Sequence, residues 1–255
     1  MAHQPIGIVV AMESELRHLL AAAPVERGGR GGIWLERWLT VGDRPIVAVL
    51  CGIGLINAAA ATERLIDAHH PAAVLNFGCA GAHRRDIMPG DVVIGDRVVH
   101  HSAVHLLASG DEIKAAELPC DPKLVATARS VADTWAPEPW PRALGWPAAV
   151  AYRDPIIHAG AVASADVWTR SRARLDVLHG RHNSLCEDME AAAVAQVCAR
   201  HGVPFLTIKD ISNNEYHVAT DLLGGGDDFP MEEVGKRAAA LALRVLASMA
   251  GIYSW

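Results

Sequence analysis

Six short, almost uninterrupted apolar runs limit what this chain can fold into: residues 7–11 (GIVVA), 45–51, 73–79, 91–99, 156–164 and 204–211 (PFLTIKDI). Their apolar residues do not alternate with polar ones, the pattern of a strand covered on both faces. Helical stretches separate them. One runs from about 13 to 23, with Leu16, Leu19 and Leu20 on one side, and an alanine-rich helix follows Gly54 to about His69. Others span 189–201 and 231–249, the last amphipathic, with Pro230 placed to start it. Residues 34–41 read as a strand paired with 45–51 through a turn at Gly42-Asp43. Buried strands alternating with helices indicate an α/β fold.

Residues 135–155 (WAPEPWPRALGWPAAVAYRDP) break the pattern with five prolines and three tryptophans, which excludes a regular helix or a central strand. The segment reads as a surface excursion, or else as a lid over the site or a subunit contact. Gly224 to Asp228 (GGGDD) reads as a flexible break. Without internal repeats or a long linker, residues 1–255 are expected to form a single domain.

Apolar residues make up 51% of the chain, enough for a sizeable core, and the net charge is −6 without long runs of either sign. Nucleic-acid binders carry a clustered basic excess, so no nucleic-acid partner is expected. The N-terminal stretch, interrupted by Glu13 and Glu15, lacks the basic start and long apolar middle of a secretory leader, and no run is long enough for a membrane span. Cys51, Cys79, Cys120, Cys186 and Cys198 are scattered without a CxxC pair and read as reduced thiols. A soluble, cytoplasmic protein is expected.

Several segments have the residue types of a site. Gly52-Ile53-Gly54 follows a strand and opens a helix, yet the third glycine of a dinucleotide-binding turn is missing, so a tight turn or a close approach of substrate to backbone is the better reading. Glu190, in the helix expected from Met189, shares a face with Val194, Val197 and Cys198. A carboxylate on an apolar face needs partners: a sugar diol, or nearby backbone amides as in a cap, and periodicity leaves both open. Glu15 occupies a helical first turn, where the helix dipole alone would favour it. Lys209, Asp210 and Asn213 cluster at the end of the strongest strand, where α/β proteins usually face their ligand. His100, His101 and His105 lack recognised metal-ligand spacing, and His179 and His182 flank an expected turn, so no metal site is expected. There is no GxSxG, Walker loop or HExxH.

Taken together, IGIVVAMESEL, CGIGLINAAAA, LNFGCAGA with MPGDVVIGD, ASADVW, EDMEAAAVAQVC and PFLTIKDISNN resemble the nucleoside phosphorylase superfamily. Within it they resemble the methylthioadenosine/S-adenosylhomocysteine nucleosidases, and the chain also resembles futalosine hydrolase. The segments occur in family order from Ile6 to Asn214. The resemblance implies a three-layer α/β sandwich with a central mixed sheet, a homodimer, a purine nucleoside as ligand and no cofactor. It implies that Glu15 activates the attacking water, Trp168 stacks on the base, Met189 packs on the sugar and Glu190 holds its hydroxyls. Lys209 stands where the family usually has arginine, Asn213 where it has an aspartate that assists protonation of the purine, and Cys79 where serine is frequent. Ser212, in the same segment as Asn213, is expected to contact substrate.

Loss of a purine leaves an oxocarbenium-like sugar, so a base for water and a group for the departing ring are needed; such acid–base help supplies roughly 10²–10⁴-fold each. An amide cannot give up a proton as an acid does, but it both donates and accepts hydrogen bonds, which suits the oxygen and ring nitrogen of a 6-oxopurine. The expected reaction is therefore hydrolytic N-glycosidic cleavage of a purine nucleoside of inosine or futalosine type. Phosphorylases of the superfamily hold phosphate with arginines where this chain has AMESE and LNFG, and Glu15 would repel phosphate. The alternatives are a methylthioadenosine/S-adenosylhomocysteine nucleosidase releasing adenine, a purine nucleoside phosphorylase, and a nucleoside-binding protein without turnover.

Overall fold

The computed structural model describes residues 4–109, 112–114, 116–144, 146–218 and 230–249, so the GGGDD break lies outside the described residues. The first half comprises β1 (Ile6–Val10), α1 (Glu13–Ala22), β2 (Val25–Gly31), β3 (Trp34–Val41), β4 (Arg44–Leu50), α2 (Leu55–His69), β5 (Ala73–Ala82), β6 (Val92–His100), β7 (Val104–Leu106), β8 (Glu112–Lys114) and β9 (Glu117–Pro119). The second comprises α3 (Pro122–Ala132), β10 (Ile157–Ser164), α4 (Arg172–His182), β11 (Ser184–Asp188), α5 (Ala191–His201), β12 (Phe205–Asn213) and α6 (Lys236–Ser248).

Ten strands form a mixed sheet ordered β11-β10-β6-β12-β5-β1-β4-β3-β2, with β9 paired to β6. β1 runs parallel to β4 and β5, and β5 parallel to β12, while β12 and β6 are antiparallel. The helices α2 and α5 pack together against β1, β4 and β12; α1 and α3 each pack on α6, which lies on β5 and β12. This is the mixed-sheet α/β architecture that the resemblance implied. The buried runs behave as their composition requires: every residue of β1 and of β12 is buried. Gly7 admits α2 closely, since a Cβ there would stand 2.4 Å from Leu65 Cδ2.

The sheet also curls on itself. β11 pairs antiparallel with β5, setting Cys186 opposite Ala82 and Glu187 opposite Gly81. The strands β5, β12, β6, β10 and β11 therefore close a ring, and the carboxyl ends of β5, β11 and β12 converge.

Seven elements escape the apolar pattern, the short β7, β8 and β9 among them. β2 (VERGGRG) is polar, glycine-rich and largely exposed, and pairs only with β3. α4 carries almost no apolar stripe, and it places His179 and His182 in its last turn rather than beside a turn. β11 is too short and mixed to read as a strand. α3 does have a start signal: Asp121 accepts the amides of Lys123 and Leu124, and Pro122 opens the helix. The last helix begins at Lys236 rather than Met231, because residues 231–235 form turns and Gly235 enters the left-handed region at φ 76°. Asp210 accepts the amides of Gly235 and Arg237 (both 2.9 Å), so this carboxylate holds the start of α6 instead of facing a ligand.

The Pro/Trp-rich segment packs as a brace. Trp140 is buried, Tyr152 donates to its carbonyl (2.8 Å), and Arg237 of α6 donates to the carbonyls of Glu138 (2.6 Å) and Pro139 (2.8 Å). Arg153 pairs with buried Asp91 at 2.5 Å, pinning the segment's end. Among the described residues, no helix is long and apolar enough to cross a membrane.

Candidate active site

A cavity of about 300 Å³ opens where the chain leaves β1, β5, β10, β11 and β12. These strand ends form the crevice that α/β sheets typically use for ligands. Of the residues singled out in the sequence, Glu15, Cys79, Trp168, Met189, Glu190, Ser212 and Asn213 all line it. Lys209 does not. None of the described residues of the Pro/Trp-rich segment lines it either.

Glu15 sits on the first turn of α1, and its side chain reaches past the helix. One carboxylate oxygen accepts the Met12 amide (3.1 Å), in the manner of a helix N-terminus, and the other accepts the Cys79 amide of β5 (2.8 Å). Burial pushes its pKa up, opposed by the charge of Lys209 and by these two amides. The result is a carboxylate with more affinity for a proton than an exposed glutamate. The Cys79 thiol beside it is pushed well up by burial and then by Glu15, and stays neutral.

Glu190 is not part of the helical face that periodicity indicated. It is the residue before α5 and does not cap it; Asp188 does, accepting the Ala191 amide at 3.0 Å. Glu190 instead accepts the Gly54 amide (2.9 Å), 136 residues away in sequence. The GIG turn exists for this: Gly52 (φ 82°) and Gly54 (φ 104°) lie where other residues are strained, and the turn delivers the amides of Gly54 and Leu55 to Glu190 and to Asp166 (2.7 Å). Burial, and next the Asp188 carboxylate, push the pKa of Glu190 up.

Lys209, behind the cavity floor, forms a fully buried ion pair at 2.6 Å with Asp188, which lines the cavity. Burial opposes the charge of Lys209, but Asp188, Glu190 and Glu15 together hold its ammonium above the ordinary lysine range. It is the cation around which three carboxylates are arranged.

Asn213 and Ser212 both face the cavity although they are consecutive, because the β12–β5 register shifts between Ile211 and Asn213. Ser212 Oγ donates to Asn213 Oδ1 (2.9 Å), and Asn213 Nδ2 donates to Glu215 (3.2 Å). Sequence reading missed Glu187, Asp188, Glu215 and Thr169. The acidic run Glu187-Asp188 preceding Met189 was the available signal; nothing local marked Glu215 or Thr169.

Comparison with known proteins places the chain in a family. The family model described as the phosphorylase superfamily matches residues 5–248. A 5′-methylthioadenosine/S-adenosylhomocysteine nucleosidase of Shewanella piezotolerans is 34% identical over 218 residues, covering 82% of this chain and 86% of that protein. The native structure of futalosine hydrolase of Helicobacter pylori matches with a TM-score of 0.78 at 24% identity, covering 96% of this chain and 98% of the other. The 5′-methylthioadenosine/S-adenosylhomocysteine nucleosidase of Neisseria meningitidis, in complex with methylthio-immucillin-A, matches at 0.77 and 24% identity, covering 96% and 100%. The two structural likenesses concern the fold.

Proposed function

This chain belongs to the phosphorylase superfamily, and we propose that within it the protein is an N-glycosidase that uses water to release the base of a purine nucleoside, the base being a 6-oxopurine. The observation that carries the hydrolytic reading is the charge of the cavity wall. Glu15, Glu187, Asp188, Glu190 and Glu215 contribute to it, and among the described residues no lysine, arginine or histidine does. A phosphate dianion would meet carboxylates without a compensating cation, whereas water and a positively charged sugar are well served.

In the proposed reaction the bond from C1′ to the purine nitrogen breaks, with its electron pair going to the base. Asn213 hydrogen-bonds the ring as negative charge builds there, its amide oriented by Ser212 and Glu215. Glu15 takes a proton from water as the water oxygen bonds to C1′, and Glu190 holds the sugar hydroxyls with Met189 beneath. The proton returns to the released base through solvent. Trp168 supplies the face on which the base stacks, and Cys79 a neutral wall.

The test is base release from inosine-, futalosine- and adenosine-type nucleosides, with and without phosphate. Phosphate-independent release of hypoxanthine is the expected result. Formation of ribose 1-phosphate would overturn hydrolysis. A second reading, release of adenine, is favoured by the nucleosidase relative that is 34% identical; adenine freed faster than hypoxanthine would establish it and remove the 6-oxopurine preference.

The working unit we propose is a cytoplasmic homodimer of single-domain chains. Support for the dimer comes from Ile53, Val167 and Met231, which line the cavity and are also exposed, and from Ile56 at 82% exposure on the adjoining turn of α2. All five cysteines are free thiols, in keeping with a reducing compartment. Replacing Ile56 by glutamate is expected to leave the fold intact and convert the dimer to monomer in sedimentation velocity. A wild-type monomer, or an unaffected dimer, would count against this surface.

A further inference from the structure

We propose that Glu187 is a specificity-determining residue that accepts a hydrogen bond from the N1–H of a 6-oxopurine, with Thr169, His83 and His101 holding it ionised for that purpose. This rests on the reading of the cavity as a purine site. Glu187 is the last-but-one residue of β11, and the closure of the sheet sets it directly across from Gly81 of β5. On the other side of β5, Asn213 of β12 is also opposite Gly81. A carboxylate and an amide thus flank one glycine, on strands about 10 Å apart given the usual strand spacing. The glycine leaves the space between them open: a Cβ at Gly81 would come no nearer to another atom than 3.5 Å, at Asn213 Nδ2. All three line the cavity.

The state of Glu187 is set by its surroundings. Oε1 accepts the Thr169 amide (2.7 Å) and Oε2 accepts the Thr169 hydroxyl (2.8 Å). His83 and His101, both buried, point Nε2 at Oε2 from 3.5 and 3.4 Å. Burial alone would raise its pKa, but the two imidazoles and the Thr169 amide bring it down to about 2. Burial keeps the pKa of His83 low, and its Nδ1 lies 2.8 Å from Ser184 Oγ; when that hydroxyl donates, Nε2 carries the proton toward Glu187. Glu187 is therefore held as an acceptor, and Oε1, engaged by the Thr169 amide, retains a lone pair toward the cavity.

An acceptor-only wall discriminates between purines. A 6-oxopurine carries a hydrogen on N1 beside its O6 acceptor; adenine carries a lone pair on N1. With Asn213 on the O6/N7 edge, the neighbouring N1–H faces the opposite flank of the Gly81 slot. Adenine would set its N1 lone pair against a carboxylate, and the Thr169 amide that might serve it is already occupied.

The experiment is calorimetric titration of the full chain with hypoxanthine, 1-methylhypoxanthine and adenine, which reads base preference without turnover. The wild type is expected to bind hypoxanthine about tenfold or more tightly than either of the others, the usual effect of one hydrogen bond to a charged group. Glu187→Gln, whose amide can donate, is expected to weaken hypoxanthine binding by a similar factor without weakening adenine binding. An unchanged hypoxanthine-to-adenine ratio in Glu187→Gln, or equal binding of hypoxanthine and 1-methylhypoxanthine by the wild type, would overturn the proposal. The second comparison holds even if the variant does not fold. Failure of the hydrolytic reading would show separately, as absence of base release from nucleosides by a protein that still distinguishes the free bases.

Discussion

Glu15→Gln is expected to reduce base release by about 10²–10⁴-fold, the usual contribution of a positioned general base. The substitution keeps the size of the side chain and one acceptor oxygen, so the fold should persist, as circular dichroism and thermal melting would check. Free base should still bind, because Glu15 is assigned to the water and not to the purine. A pH profile sharpens the test. Glu15 works only when ionised, and burial raises its pKa, so wild-type kcat/KM is expected to fall on the acid side with a midpoint above the usual carboxylate range. A variant within tenfold of wild type would remove Glu15 from the role of base.

Lys209→Met should have the largest effect on stability. It keeps most of the side-chain volume but removes the cation that neutralises Asp188 at 2.6 Å and faces Glu190 and Glu15. Breaking a buried ion pair by removing one partner typically costs about 3–5 kcal/mol, because the remaining charge has no solvent to turn to. Chemical denaturation would measure it. The sign of the accompanying pH effect follows from the same charges. Lys209 lowers the pKa of Glu15, so without it the acid limb of the rate profile should move to higher pH. Lys209→Arg restores the charge and should recover much of both properties. A loss below about 1 kcal/mol with an unmoved profile would mean that the pair is not coupled to the base as described.

These two residues mark how far sequence reading reached. Glu190 was legible as a carboxylate in a place that needs an explanation, Glu15 only as an ordinary first-turn glutamate, and the family segments assigned both their roles. Their partners were not legible: the amide that Glu190 accepts belongs to Gly54, and one of those holding Glu15 belongs to Cys79, each far away along the chain. Lys209 was expected against substrate and lies behind the cavity, paired with Asp188. Asp210 was grouped with the site and instead anchors α6. Alternation along a buried strand decides which of two adjacent polar residues faces the crevice, and a run buried on both faces carries no polar–apolar signal to tell them apart.

By itself, then, the sequence determined the alternation of buried strands and helices, because uninterrupted apolar runs have nowhere stable to go except the middle of a covered sheet. It also determined family membership, because the quoted segments occur together and in order. Only the tertiary structure decided the closure of the sheet through β11 and β5. That pairing joins residues about a hundred positions apart, and β11 has no local pattern to announce it. It sets Glu187 across Gly81 from Asn213, and so decides which chemical groups the cavity offers to a base.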